Sequence, residues 1–282
     1  MMASVIALIS CFLLKAHPGS AFQRKLFSTS MGLFIHYYVF GTGGLASMVT
    51  NLISYAVICL APAKSSHLIV FTISGITLAL AQIHKQIYYF GVNGLDVPMN
   101  LMFNYCRVTS LVCCLRDGIT IKEARAKGKD VQPDLKRREL AYAVEEIPSF
   151  FDFISYLYFC GAAISGPFYE FKDFQMMMAR EGDFKDVPST LKPGLIRFCQ
   201  AWLCVASGAL IGAFVDEKYM LTEEFLNEYS IPHKLLYQFA VVKLTMQTYL
   251  VGWCLMECGP IAAGLSYNGT DKETGKAKHD RV

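Results

Sequence analysis

The sequence predicts an all-α fold, a polytopic bundle of transmembrane helices. Of its 282 residues, 54% are hydrophobic and only 17% are charged, and the mean hydropathy is +0.35. Soluble domains carry about 25% charged residues, so this composition excludes a disordered chain and goes against a single soluble domain. Several uncharged stretches also reach the length of about 20 residues that a helix needs to cross a bilayer. We therefore treat residues 1–282 as one membrane domain.

The N-terminal part of the chain contains three candidate helices. Ala3–Leu14 is apolar but short, and we interpret it as the remnant of a short first span rather than a signal-peptide core, because it lacks a basic n-region and a clear cleavage site. Leu26–Ala63 holds no charge over 38 residues, which is too long for one span. The glycine-rich break Gly41–Gly44 therefore predicts two helices, at about 26–40 and 45–62.

Five further apolar segments complete the predicted bundle: Ser65–His84, Val97–Leu115, Ile147–Tyr169, Phe198–Val215 and Leu235–Met256. Pro98 predicts an irregular or re-entrant start for the second of them. Gly208 and Gly212, four residues apart, predict a helix face that another helix approaches closely. The charges of the connecting segments give no consistent sidedness, so we expect one of these spans to be re-entrant.

The segment 118–146 has an entirely different composition, with seven basic residues: Lys122, Arg125, Lys127, Lys129, Lys136, Arg137 and Arg138. Basic residues accumulate in cytoplasmic loops of membrane proteins. The segment is therefore predicted to be a cytosolic loop. A grip on the phosphates of a nucleotide-like cosubstrate is the alternative.

Four ionisable residues fall inside apolar segments, where charge is costly and side chains face the protein interior or water. They predict a polar chamber or substrate path inside the bundle. The four residues are Arg107, Asp152, Lys243 and Glu257. The alternative is structural ion pairing, or snorkelling for Asp152 and Glu257. His36 and His84 lack a local acidic partner and are predicted to pack or to lie at the membrane interface rather than to act as bases.

Several kinds of chemistry have no sequence support. The chain contains no phosphate-binding P-loop, no H-E-x-x-H and no G-x-S-x-G motif. Its ten cysteines lie in apolar stretches without the spacing of zinc ligands and are predicted to be free thiols. A net charge of +3, spread along the chain, gives no reason to expect nucleic acid. We predict neither a metal nor a cofactor.

Three blocks, in order along the chain, carry a family resemblance. The central block comprises Glu145–Phe153, Tyr156–Gly161 and Ser165–Phe174. An upstream block lies within His84–Gly118, and a downstream block lies within Trp253–Asp280. Together they resemble the signature of membrane-bound O-acyltransferases, and more narrowly that of the lysophospholipid acyltransferase branch. The downstream block is close to the lysophosphatidylcholine acyltransferase type.

The resemblance implies tilted or re-entrant helices around an internal chamber. It also implies transfer of a fatty acyl group from acyl-CoA to the hydroxyl of a lysophospholipid, in the endoplasmic reticulum membrane. The implied partners are acyl-CoA as cosubstrate, the lysophospholipid and the phospholipid membrane. Gly166 and Pro167 are expected to shape the chamber wall. Trp253, Glu257 and Asn268 match family positions, with helix packing favoured for Trp253 and a structural turn for Asn268.

The resemblance does not supply catalytic residues. Members of this family carry a catalytic Asn and a later essential His, both normally beyond the stretch that corresponds to Gly275–Asp280. The Asn and the His are therefore expected beyond Val282, and no residue of this sequence is assigned to either role. The chain is expected to be the N-terminal part of an acyltransferase and inactive by itself. A multipass transporter or channel, and a non-catalytic lipid-binding relative, are the alternatives.

Overall fold

A computed structural model describes residues 2–90, 96–128, 137–164, 166–271 and 273–282, without the side chains of residues 63, 64, 137 and 138. Regular structure in these ranges is helical, with no β-strand, which confirms the all-α prediction. The helices are α1 Met2–Ala16, α2 Ala21–Phe40, α3 Gly44–Leu60, α4 Ala63–Tyr88, α5 Val97–Ala126, α6 Arg137–Tyr142, α7 Phe150–Leu157, α8 Phe171–Ala179, α9 Leu191–Gly212, α10 Glu223–Glu228 and α11 Ile231–Ala263.

In the described part of the chain, four helical stretches are long and apolar enough to cross a membrane: Ala21–Leu60, Ser65–Tyr88, Leu191–Gly212 and Ile231–Ala263. They confirm a multi-pass membrane protein. The first stretch contains both α2 and α3, which a 3-10 turn at Gly41–Gly43 separates as predicted. Gly41 has φ of +53°, a backbone conformation that favours glycine. The helix α1 is shorter than a span and lies outside these four stretches.

From Asp96 on, the start of α5 is a regular helix, which corrects the prediction of an irregular start at Pro98, while a re-entrant path stays a prediction. The Asp96 side chain accepts a hydrogen bond from the Met99 backbone N–H at 2.9 Å, which is a regular N-terminal cap. Pro98 occupies the first turn, where its missing N–H costs nothing. The helix then continues to Ala126, so the basic segment 118–146 begins as helix rather than as loop. Residues 129–136, which include two lysines of the basic segment, lie outside the described ranges. The location of the basic segment on the cytosolic side of the membrane stays a prediction.

The segment Ile147–Tyr169 is not a membrane span, which corrects the prediction for this region. Among its described residues, only the eight of α7 are α-helical, and a 3-10 turn at Cys160–Ala162 follows. Most of its apolar side chains from Phe153 to Ala163 are buried inside the protein, with Phe153 and Phe159 fully inaccessible, whereas Ile147, Phe150 and Phe168 are exposed. Hydropathy along the chain does not distinguish such a segment from one that faces lipid. A backbone without helical hydrogen bonds is tolerated at membrane depth only when protein covers it.

The helices α9 and α11 form an antiparallel pair across the face that the two glycines predicted. A Cβ placed on Gly208 would lie 3.4 Å from the Gln247 Cβ, and one placed on Gly212 would lie 3.6 Å from a Leu244 methyl group. Both distances are ordinary van der Waals contact. The packing therefore has room for a methyl group at these two positions, and the small residues keep larger side chains out of the contact between the helices.

Candidate functional site

The centre of the protein is a stretch of chain between α7 and α8 that we call the unwound segment, residues 158–164 and 166–170. Tyr158, Phe159 and Cys160 are no more than 2% exposed. The helices α1, α2 and α11 pack against its 3-10 turn. The segment contains part of the central sequence block, including Gly166 and Pro167. Its location places that part of the block in the interior of the helix bundle.

The Arg107 side chain binds backbone carbonyl groups in and next to the unwound segment. This side chain is 2% exposed and comes from the middle of α5. Its Nη1 donates to the Leu157 carbonyl oxygen at 3.2 Å, and its Nη2 donates to the carbonyl oxygens of Ala162 and Gly166 at 3.3 and 3.4 Å. Its guanidinium carbon lies 4.9 Å from the centre of the Tyr169 ring, within cation–π range. The cation therefore replaces the helical donors that these carbonyl groups lack.

Two tyrosines close the segment on itself. Tyr156 Oη donates to the Tyr169 carbonyl oxygen at 2.8 Å, and Tyr169 Oη donates to the Tyr156 carbonyl oxygen at 2.5 Å. Their rings meet edge to face with centroids 5.2 Å apart. Sequence reasoning quoted both residues in the central block but gave them no role. Each partner is a backbone group, so no second side chain marks the interaction in the sequence.

Glycines let the neighbouring backbones touch. A Cβ on Gly32 of α2 would lie 1.8 Å from the Tyr158 carbonyl oxygen, and one on Gly259 of α11 would lie 2.4 Å from the Gly161 carbonyl oxygen. Both are far inside contact distance. These positions therefore admit no side chain unless the unwound segment moves.

Replacing Gly259 with alanine is expected to destabilise the protein by about 1–3 kcal/mol, because the added methyl group meets backbone. Gly252→Ala is the matched control on the same helix, since a Cβ at Gly252 meets nothing within 4 Å. It should be neutral, or stabilising by up to about 1 kcal/mol through helix propensity. Thermal unfolding in detergent measures both. Equal melting temperatures for the two variants would contradict the backbone contact.

A buried polar network surrounds Tyr158 on the other side. Asn51 Nδ2 donates to the Tyr158 hydroxyl at 3.1 Å, and Ser47 Oγ lies 3.4 Å from it. His36 packs edge to face against the Tyr158 ring with centroids 5.2 Å apart, and its Nε2 lies 3.2 Å from the Gly44 carbonyl oxygen. His36 is thus a buried packing residue, as predicted. This network ties α2 and α3 to the start of the unwound segment.

A cleft of about 570 Å³ opens beside this network. Its walls are mainly apolar and come from Val39, Phe40, Gly43, Ala46, Ala81, Val97 and Pro98. Its polar groups are His84, Tyr89 and the ion pair between Lys85 and Asp96. This volume is within the range of ligand pockets, which runs from about 300 to 1,000 Å³. The cleft brings together residues of the upstream sequence block.

The other predicted ionisable residues do not meet Arg107. Asp152 lies at the start of α7, where its carboxylate is 2.5 Å from Lys25 Nζ and accepts a hydrogen bond from Ser149 at 2.7 Å. Glu257 pairs with Arg197 of α9 at 2.8 Å. These contacts are the structural ion pairs that were the alternative. A substrate-path role for either residue stays a prediction.

Lys243 and Trp253 lie on the outer face of α11. Lys243 is exposed, which corrects its expected burial, and its ammonium is 5.3 Å from the centre of the Phe239 ring. Trp253 is 54% exposed and lies near Tyr249. The apolar stretch around Lys243 gave no information on which face of the helix packs inward.

The end of the described chain folds back as a hairpin, residues 266–281 without Lys272. Asn268 Nδ2 donates to Asp280 at 3.0 Å, and the Asn268 backbone N–H donates to the Lys278 carbonyl oxygen at 3.0 Å. Asn268 thus lies on an arm of the hairpin, paired with the opposite arm, and not in the predicted structural turn. A backbone hydrogen bond from Thr274, together with the Lys278 ammonium, lowers the pKa of the exposed Asp271 carboxyl group.

Arg281 fastens this hairpin to α8. Its Nη1 donates to the Asp173 carboxylate at 3.0 Å, its Nη2 contacts Asp183, and its Nε donates to the Tyr267 carbonyl oxygen at 2.8 Å. The guanidinium carbon also lies 4.9 Å from the Phe184 ring centre. The Asp173 side chain is only 3% exposed, so this is a buried ion pair. Sequence reasoning missed it because its residues lie far apart in the chain.

Val282 follows directly after Arg281 and has a packing role. Its side chain is partly buried and lies against the main hydrophobic core. The expectation that the family's catalytic Asn and His lie beyond Val282 concerns residues outside this sequence. That expectation therefore stays a prediction.

Possible metal ligands are dispersed over the described ranges. Within these ranges, no group of three or more His, Cys, Asp or Glu side chains is placed to hold a metal ion. All ten cysteines are free thiols, and the Cys11 and Cys160 sulfur atoms lie 3.9 Å apart in the core. Function without a metal or cofactor stays a prediction.

These features define a class of protein: a polytopic helical membrane protein with a buried, glycine-clamped unwound segment at its centre. Within that class, the chain belongs to the membrane-bound O-acyltransferase family, whose family model matches residues 35–282. The match confirms the family resemblance of the three sequence blocks.

Curated relatives give the same family. The chain is 24% identical to membrane-bound glycerophospholipid O-acyltransferase 2 of Rattus norvegicus, over 95% of this chain and 53% of the relative. It is 24% identical to lysophospholipid acyltransferase 5 of Homo sapiens, over 97% of this chain and 55% of the relative. The chain is also 24% identical to lysophospholipid acyltransferase 6 of Drosophila melanogaster, over 99% of this chain and 40% of the relative. The chain spans about half the length of the curated relatives it matches.

Proposed function

We propose that the protein acts in transfer of a fatty acyl group from acyl-CoA to the free hydroxyl of a lysophospholipid, with lysophosphatidylcholine as the acceptor. The family match over residues 35–282 carries this proposal, and the names of the relatives support it. We place the reaction in the endoplasmic reticulum membrane. A transporter or channel is disfavoured, because neither function gives a reason for the ordered acyltransferase blocks.

The described residues contribute a scaffold to this reaction. Both substrates carry long apolar chains, and an apolar cleft that opens beside a membrane helix lets such chains enter without fully leaving an apolar phase. Acyl transfer to a hydroxyl also needs a general base and a donor aimed at the developing oxyanion. We assign neither role to His36 or to Arg107, since packing and backbone carbonyl groups already account for their positions.

The test is an acylation assay in membranes from cells that lack the endogenous activity. The cells express either the 282-residue chain or the complete product of its native transcript, and labelled acyl-CoA is supplied with lysophosphatidylcholine. We expect labelled phosphatidylcholine from the complete product and none above empty vector from the 282-residue chain. Membrane-inserted complete product without label incorporation would contradict acyl transfer and favour the non-catalytic lipid-binding relative. Fractionation of the same cells checks the location.

A further inference from the structure

Three cations line one small cavity where α1 ends. Lys15 comes from the last turn of α1, Arg24 from the start of α2 and Arg180 from the C-terminal cap of α8. The cavity has a volume of about 20 Å³, and the rest of its walls is apolar, with Met178 and Phe184 among the lining residues. One water-sized group needs about 10–15 Å³. The cavity thus has room for one ligand oxygen, with the rest of the ligand at its mouth.

The hydrogen-bond partners of these cations are backbone carbonyl oxygens. Lys15 Nζ donates to Val187 at 3.0 Å, Arg24 Nε donates to Met178 at 2.8 Å, and Arg180 Nη2 donates to Lys15 at 2.9 Å. In the described ranges of the chain, no carboxylate lies within 4.0 Å of the three cations. Carbonyl groups satisfy donors but do not neutralise charge. Arg24 also donates from Nη1 to the Gly19 carbonyl oxygen and from Nη2 to that of Met178, and Arg180 Nη2 donates to that of His17. An ammonium has three N–H groups and a guanidinium has five, so each side chain keeps N–H groups for a further acceptor.

The surroundings neutralise only part of this charge. The C-termini of α1 and α8 each contribute roughly half a negative charge through the helix dipole. The neighbouring set of Arg281, Asp173 and Asp183 carries one net negative charge. Both of its carboxylates are paired with Arg281. A positive excess remains for an anion to balance.

Two further observations mark the cluster as more than helix capping. Arg180 has φ of +56°, and it is the one non-glycine residue with positive φ in the described part of the chain. Glycine or asparagine is the usual residue at such a cap, and backbone strain of this kind is concentrated at functional positions. Burial, and after it the charge of Arg180, lowers the pKa of the Lys15 ammonium to about 8. Lys15 lies outside the four candidate spans, and a bound anion would relieve this penalty.

We propose that Lys15, Arg24 and Arg180 form a phosphate-binding site. Phosphate oxygens are the acceptors that clustered guanidinium and ammonium groups bind best. The group belongs to a phospholipid headgroup or to a soluble phosphate ester. The location supports both sources, because the cluster lies where the candidate span Ala21–Leu60 begins. The proposal does not depend on acyl transfer.

The test measures ligand-dependent thermal stability of the full chain in neutral detergent. One arm titrates phosphatidic acid against diacylglycerol with the same acyl chains, and the other titrates inorganic phosphate against chloride at equal ionic strength. Arg180→Gly removes the charge and relieves the positive φ, which offsets the loss of the hydrogen bonds to the Lys15 and His17 carbonyl oxygens, so this variant should fold about as well as wild type. We expect it to weaken the response about tenfold, which corresponds to one charge-assisted interaction. Lys185→Gln, an exposed cation outside the cavity, is the control and should bind like wild type.

The two arms separate the sources. A saturable response to phosphatidic acid alone supports a lipid headgroup, and a response to inorganic phosphate supports a soluble ester. Arg180→Asn, which also tolerates positive φ, should reproduce the loss in either arm. Absence of a saturable response in both arms, or an equal response in wild type and both Arg180 variants, would overturn the proposal.

Discussion

Replacing Arg107 with methionine is expected to lower the melting temperature of the detergent-solubilised protein by about 10 °C. The substitution keeps the length and apolar stem of the side chain but leaves the carbonyl groups of Leu157, Ala162 and Gly166 without a donor. A buried group left unsatisfied costs about 1–3 kcal/mol, and each kcal/mol shifts the melting temperature of a chain of this size by about 2–4 °C.

Two comparisons sharpen this experiment. Arg197→Met removes a guanidinium from the half-exposed pair with Glu257 and should cost no more than about 1 kcal/mol. Arg107→Lys keeps the charge but replaces the planar fork with a single ammonium, which cannot span three carbonyl groups, and should remain clearly destabilised. If Arg107→Met and Arg197→Met had the same melting temperature, the contacts of Arg107 with the carbonyl groups would contribute little to stability.

Replacing Arg281 with methionine is expected to destabilise the protein by about 3–5 kcal/mol, because it leaves the buried Asp173 carboxylate without its counter-charge. The double variant Arg281→Met, Asp173→Asn should recover much of this loss, since no buried charge remains. Thermal unfolding measures the cycle, and hydrogen exchange of the amides in 266–281 reports whether the hairpin detaches from α8. Additive losses in the double variant would contradict a direct interaction between the two side chains.

The sequence predicts the helical class, the break at Gly41–Gly44 and the face at Gly208 and Gly212 because each depends on local composition or spacing. It also singles out Arg107, since a lone cation in an apolar stretch is costly wherever it lies. It does not predict what Arg107 binds. The acceptors are backbone carbonyl groups, and every residue carries one.

The error at Ile147–Tyr169 has a related cause. Hydropathy reports that side chains avoid water, but both lipid and protein interior satisfy that requirement. Lys243 shows the converse case, because its exposure depends on which side of α11 packs against α9. The cluster of Lys15, Arg24 and Arg180 was missed since its members lie on three separate helices.

The position of Arg107 in the chain has a consequence for biosynthesis. Translation runs from the N-terminus, so α5 with Arg107 leaves the ribosome before Leu157, Ala162 and Gly166. The donor for the carbonyl groups of these three residues is therefore already synthesised when they enter the membrane. In a circular permutant in which residues 150–170 precede α5, this order of synthesis is reversed. We expect the permutant to insert poorly into the membrane, even though the contacts of its folded state would be the same.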